Sequence, residues 1–545
     1  MKAKIMIYAL AGALIIGASS CTNLLDRNYT NIVADGFQPG EDDLGALLSS
    51  AYIPWRQTFL LWNGVARAQM LSSDEDVIPA RPNGWVDGGI YKRMHQHTWT
   101  ADDEVVVVSW DRTYTGINAC NRVLFQIESG QIALGEKQEV IVAELKVLRA
   151  SYYYILVDLF ANVPLVTQFD VPEGYLPEQS TRKEVYDFIM SELTTNVPLL
   201  SEAIDTEHYG RFNKWAGYAL MAKMYLNAQV FSDGNNTEWD ACIEACDRII
   251  NMGQYLLESE QRLVFITNNE NSKEIIFALP FDETYVTDWN AFDYHMYTLQ
   301  PSNQQTYNFQ AGPWGGVCVI PQYINSFDAD DERLANGFIK GQQYSSSGTV
   351  LNCTMGALTG QPLAYINEVP SIDDSEEVHG LRWGKFEYAM GITNRLSNDF
   401  PVFRYADVLL MKAEALLRSG HAAEAAELVT QVRARNFTAQ PNKATVTAAQ
   451  LEASGTIYDY GRRDNLVPPT SDDTSIIQYG RMLDELGWEF TQEGRRRQDM
   501  VRFNAFTTLS WFSHDKSDAT KNIFPIPNRQ LRTNGNLKQN PGYSN

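Results

Sequence analysis

Cysteine and histidine are scarce: the 545 residues carry six of the first and seven of the second. A zinc site needs such ligands clustered at short spacing, and His95-x-His97 stands without a third ligand in its neighbourhood. Five cysteines, Cys120, Cys242, Cys246, Cys318 and Cys353, follow Cys21. An odd number cannot all pair, and Cys242 and Cys246 share an apolar stripe with Trp239, Ile249 and Ile250, so they read as core residues. Basic charge is short as well. Forty-four Lys+Arg against 67 Asp+Glu give a formal charge of -23, which repels phosphate backbones and sets nucleic acid aside as a partner. Gly-x-Ser-x-Gly, His-Glu-x-x-His and Walker patterns are missing, so neither a catalytic motif nor a cofactor is indicated. Asp328-x-Asp330-Asp331 lacks the Gly and terminal Glu of a calcium loop and reads as a solvated turn, which leaves a metal undetermined.

One apolar run is present, and it is short. Lys2 and Lys4 precede Ile5 to Ile16, then Ala18-Ser19-Ser20-Cys21 follows. That stretch is too short to span a bilayer and has the layout of a lipoprotein signal. Residues 1–20 would be removed, Cys21 would carry the lipid, and 21–40 would serve as a tether. An ordinary secretory signal cut near Ser20 is the alternative.

The rest is dominated by helical periodicity. In Phe403 to Asn436, Tyr405, Leu409, Ala413 and Leu416 line one face, and Ala425, Leu428, Val429 and Val432 line another after Gly420. Small residues at Ala413, Ala415, Ala425 and Ala426 let two helices approach closely, in a weak tetratricopeptide pattern. The spacing predicts further helices over 41–59, 105–128, 139–161, from the capping box Thr181-Arg-Lys-Glu184 onward, over 215–226 and 239–250, and a single final helix from Ser475 to about Phe503 with Tyr479, Leu483, Leu486 and Phe490 inward. Met70 to Asp103 is rich in Pro, Gly, Asp and Trp and reads as one long structured loop. From about 268 to 400 the periodicity lapses, which predicts a loop-rich insertion with short strands. Arg495-Arg496-Arg497 reads as carboxylate-paired structure, not a basic patch.

Five stretches in order behind the lipobox carry a resemblance. They are SSDE at Ser72–Glu75, ELKVLRASYYYILVDLFANVPLV at Glu144–Val166, FPVFRYADVLLMKAEALLRSG at Phe400–Gly420, WEFTQEGRRRQDMVRF at Trp488–Phe503 and IPNRQLRTNGNLKQNPGY near the end. Together they resemble the SusD/RagB family of Bacteroidetes surface lipoproteins. The resemblance implies a mainly α fold of about four tetratricopeptide-like pairs in one domain over 41–545. Its scaffold would lie mainly in 41–267 and 401–503, its variable region in 268–400 and its tail in 504–545. It also implies glycan binding without catalysis, anchoring at the outer membrane through the N-terminal lipid alone, and a SusC-like TonB-dependent transporter as partner.

A sugar presents flat C–H faces ringed by hydroxyls, so its site needs an aromatic platform beside planar polar groups. Arg81, Asn83, Trp85 and Asp87 supply both within seven residues of loop, in the neighbourhood where relatives bind glycan. Trp85 is either a platform or a loop-packing ring. Trp314, in a loop that opens toward ligand in relatives, is divided between platform and core. Cys318 follows it as a candidate that also suits a buried hydrophobe. Arg382 would grip adjacent hydroxyls or form a salt bridge, and Trp289 and Tyr294 stand in reserve. Two rivals remain: a helical glycoside hydrolase, which needs an acid and a base or nucleophile across an aromatic cleft, and a peptide receptor of the RagB type.

Overall fold

The computed structural model describes residues 41–288, 291–465 and 467–544. Cys21, the signal and the tether lie outside the described residues, as does Trp289. The chain is mainly helical. Helices α1 (Glu41–Phe59), α2 (Val65–Leu71), α3 (Ile90–His95), α4 (Glu104–Glu128), α5 (Gln138–Leu159), α6 (Arg182–Asn196), α7 (Lys214–Leu226) and α8 (Trp239–Met252) occupy the first half. After the irregular segment come α9 (Tyr405–Arg418), α10 (Ala422–Ala434), α11 (Gly480–Phe490) and α12 (Arg496–Arg502).

The long helices stack in order. α1 packs on α4, α5 on α6, α7 on α8 and α9 on α10, and contacts of α4 with α5, α6 with α7 and α8 with α9 join the four pairs. Local chemistry sets their ends. Thr181 and Glu184 form the reciprocal capping box of α6, and the Asn213 carboxamide accepts the Trp215 and Ala216 N–H groups that open α7. Cys242, Ala245, Cys246 and Ile249 are the buried face of α8, so those two cysteines are core residues.

The α4–α5 approach depends on one missing methyl group. A Cβ at Gly116 would stand 2.2 Å from the Tyr152 ring, whose hydroxyl donates to the Ala51 carbonyl of α1 at 2.7 Å. Gly116→Val should therefore cost about 1–3 kcal/mol by overpacking. Urea unfolding measures it, and an unchanged midpoint would show that the ring moves aside freely.

Between α8 and α9 the chain forms short helices and strands. β2 (Ile275–Leu279) pairs antiparallel with β6 (Phe400–Arg404), closing the irregular segment at its base. β1 (Asp76–Val77) pairs with β3 (Cys318–Val319), and β4 (Phe338–Ile339) with β5 (Arg382–Trp383). Beneath them runs a buried ionic network. Arg404 contacts Glu274, Glu489 and Glu493; Arg435 contacts Glu274 and Glu489; Arg333 contacts Asp331 and Glu489; Lys385 contacts Glu493.

Two expectations need correction. The helix read over 475–503 is broken: α11 and α12 are separated by a link in which Gln492 (φ 62) and Gly494 (φ 69) are left-handed, and Tyr479 is itself left-handed at φ 58. Buried Glu75 holds the turn by accepting the Gln492 N–H and the Thr491 hydroxyl. The loop read over 70–103 contains the end of α2, β1 and α3. Other readings match the structure. Arg495 pairs with Asp407 and Asp499, Arg496 with Asp74 and Arg497 with Asp158. Lys443 bridges Asp328 and Asp330, while Asp331 caps a helix and holds Arg333. The tail packs back on α5 through the Phe524 N–H, which donates to the Leu159 carbonyl at 2.7 Å.

Folding brings a third imidazole to His95 and His97, from His514, with ring centroids 6.2 Å and 4.2 Å away. They are structural. His97 spends both nitrogens on Ser517 Oγ and the Ser72 carbonyl, and His514 is committed to the His95 carbonyl. Burial pushes His95 down to about 4 and His97 to about 3. An unfolded histidine takes its proton near pH 6.5, so the stability these neutral rings contribute is whole above that pH and is lost as pH falls toward 4. His97→Gln should make the fall of unfolding free energy between pH 6.5 and 5 shallower by about 1 kcal/mol per pH unit. Equal slopes in a denaturant series across pH would refute the assignment.

Candidate functional site

Three indoles meet on one side of the irregular segment. Trp62 comes from the turn between α1 and α2, Trp85 from the loop before α3, and Trp314 from the loop before β3. Together with Asn83, Asp87 and Asn394 they line an open depression of about 700 Å³. Trp62 lies 6.2 Å from Trp85, with planes 33° apart, and 5.9 Å from Trp314 at 77°. All three indoles are half-buried, which leaves ring surface for a ligand.

The Trp85 loop is a tight turn that only particular backbones allow. Arg81 and Gly84 exchange backbone hydrogen bonds at 3.0 and 2.9 Å. Gly84 then sits at φ 116, Trp85 at φ 65 and Asp87 at φ 41. For two non-glycine residues these are sparsely populated angles, held because the surroundings over-determine them. Trp85 Nε1 donates to the Trp314 carbonyl at 2.8 Å, and Asn83 Nδ2 donates to the same oxygen. The Trp314 loop is tied in turn to the short helix Tyr294–Thr298, its N–H donating to the Met296 carbonyl at 2.7 Å. Glycine is required where the loops touch: a Cβ on Gly316 would stand 2.6 Å from the Trp85 ring.

Below the platform, Arg67 lies 5.0 Å from the Trp62 ring centre and 4.2 Å from that of Tyr297, and pairs with Asp293 at 2.5 Å. Burial alone would favour the neutral guanidinium, but Asp293 and the neighbouring tyrosines outweigh it and hold Arg67 charged. This cation fixes the Trp62 and Tyr297 rings from behind.

The structure brings Asn83, Trp85, Asp87 and Trp314 together and places the other candidates elsewhere. Arg81, Arg382 and Cys318 are 6%, 0% and 0% exposed. Arg81 donates to the carbonyls of Gly316, Glu376 and His379, and Arg382 to those of Val317, Glu377 and His379. Burial pushes Arg81 down to about 9, with Arg382 adding to it. These forks clamp the loops behind the depression, and neither arginine is among its described lining residues. Cys318 belongs to β3, packed where a Gly380 side chain would stand, and Tyr294 is buried at 1%. Ser72, Ser73, Asp74 and Glu75 are likewise buried and structural. Trp62, Met355 and Asn394 also line the depression, and the sequence does not mark them as candidates. Only the Leu-Leu-Trp-Asn-Gly turn at a helix end hinted at Trp62, and Asn63 in it is left-handed at φ 55.

Comparison with known proteins gives a consistent result. The model described as "SusD family" matches residues 387–543, and that described as "Starch-binding associating with outer membrane" matches residues 63–226. The starch-binding protein SusD of Bacteroides thetaiotaomicron is 24% identical over 442 residues, 74% of this chain and 72% of that protein. Among solved structures, a laminarin-binding SusD-like protein superposes with a TM-score of 0.68 at 21% identity, over 92% of this chain and 100% of that one. Surface glycan-binding protein A from Bacteroides thetaiotaomicron, in complex with laminarihexaose, does so with a TM-score of 0.67 at 18% identity, again over 92% and 100%. The two matched stretches make up more than half of the sequence and fall on both halves of the helical scaffold: the chain belongs to the SusD/RagB family.

Proposed function

We propose that this protein is a non-catalytic glycan receptor, which captures oligosaccharides on the Trp62, Trp85 and Trp314 platform and delivers them to a SusC-like TonB-dependent transporter in the outer membrane. The observation that carries this is the depression itself: three indoles supply stacking surface, Asp87 and Asn394 stand beside them to meet hydroxyls, and Asn83 braces the Trp314 loop through its carbonyl. In this reading Arg81 and Arg382 act as positioning residues, while Cys318 packs behind the site. The relatives' names, starch-binding, laminarin-binding and solved with laminarihexaose, support a glycan as ligand.

The non-catalytic part of this reading is supported by the chemistry of the depression. Glycoside hydrolysis takes two carboxyl groups flanking one bond, and Asp87 is the only carboxylate among the described lining residues. Cys21 supplies the anchor in this proposal, which sets the protein on the cell surface beside its transporter. The test is titration of the purified protein, in a detergent that contains no sugar, with a panel of oligosaccharides and with peptides. Saturable heat with a glycan and no shortened product supports the reading; product release, or binding of peptide alone, overturns it. Co-purification of a TonB-dependent transporter with the lipidated protein tests delivery.

A further inference from the structure

Resting on that reading, we infer that the site takes an uncharged glycan, and that Asp87 makes it reject uronic-acid and sulfated polymers. Asp87 is the only charged residue among the described residues that line the depression, and it is exposed. Its carboxylate can accept hydroxyl donors from a neutral sugar. Toward a uronate or sulfate it presents like charge, inside a chain whose formal charge is already -23.

Recognition of an anionic glycan calls for the opposite arrangement, a guanidinium fork or an ammonium at the ligand surface. The cations near this site are committed elsewhere: Arg67, behind Trp62, pairs with Asp293, Arg112 donates to the Gln57 and Trp62 carbonyls, and Arg395 donates to the Glu283 carbonyl. Arg81 and Arg382 are buried with their forks turned to backbone carbonyls. Lys92, in an exposed pair with Asp373 at 2.6 Å, is not among the described residues that line the depression. Arg93 pairs with Asp103 and donates to the Gly88 carbonyl at 2.6 Å. An anionic substituent entering beside Trp85 would therefore lose water and meet Asp87 with no cation among the described residues that line the depression.

The test sets neutral hexasaccharides of glucan, mannan, xylan and galactan against a galacturonate hexamer, on the purified protein at low salt. The best neutral ligand should bind at least about tenfold more tightly than the galacturonate, high salt should narrow the gap, and Asp87→Asn should raise the ratio of galacturonate to neutral affinity. Galacturonate bound as tightly as the best neutral hexamer overturns the inference while the glycan-receptor reading stands. A ratio unmoved by Asp87→Asn overturns the role given to Asp87. Retention of no glycan of either class overturns the receptor reading and this inference together.

Discussion

Arg404→Met is expected to lower the unfolding free energy by about 3–5 kcal/mol, the cost of stripping a buried ion network of a central member. Arg404 is 1% exposed and reaches Glu274 at 2.7 Å, Glu489 at 2.8 Å and Glu493 at 2.8 Å. Burial would raise the Glu489 carboxyl, but Arg435, Arg404, Arg333 and Lys385 outweigh it and hold that group far below the usual carboxylate range. With Arg404 gone, three carboxylates remain out of water with fewer donors among them. The loss is a large fraction of the margin a folded domain has, and it falls where β2, β6 and the link before α12 converge. Arg404→Lys should recover only part, because an ammonium cannot fork to several carboxylates. The exposed pair Lys183–Asp187, 44% and 51% exposed, is the control: Lys183→Ala should change stability by less than about 1 kcal/mol. Denaturant unfolding measures all three, and a drop below about 1 kcal/mol for Arg404→Met would mean that Arg435, Arg333 and Lys385 suffice.

The second large effect belongs to the platform. Trp85→Ala should weaken glycan retention by roughly 30-fold or more, the scale of a loss of about 2 kcal/mol at a buried aromatic anchor. Two losses add. The ligand loses a stacking face, and the Trp314 loop loses both the indole N–H bond to its carbonyl and the ring that fills the space beside Gly316. Trp85→Phe keeps an apolar ring without the hydrogen bond, so it should fall between the two. Isothermal titration gives the affinities, and thermal unfolding shows whether the scaffold persists. Wild-type affinity in Trp85→Ala would remove this residue from the site.

Much of the scaffold was legible because helix periodicity and capping chemistry are local. The stripes over α4 to α10 and the Thr181 box needed no knowledge of distant contacts. The break between α11 and α12 was hidden for the opposite reason. Inward spacing continues from Leu483 to Phe490, and what turns the chain is Glu75, more than four hundred residues away in sequence, accepting the Gln492 N–H. The loop residues divide in the same way. Trp85, Asn83 and Asp87 sit in a Gly-rich turn whose composition marks exposure, and Trp314 sits between Pro and Gly-Gly. An arginine in a loop carries no such mark. Whether its fork faces a sugar or a row of carbonyls is decided by where residues 316, 376 and 379 fold, and here the carbonyls took Arg81 and Arg382.

Two indoles 6.2 Å apart with planes inclined by 33° are close enough for their electronic transitions to mix. Trp62 and Trp85 should therefore give a paired-sign contribution in the indoles' strong far-ultraviolet circular dichroism band that neither ring gives alone. Under the proposed function, a sugar settling on them would shift that band without any label, which gives an optical readout of occupancy.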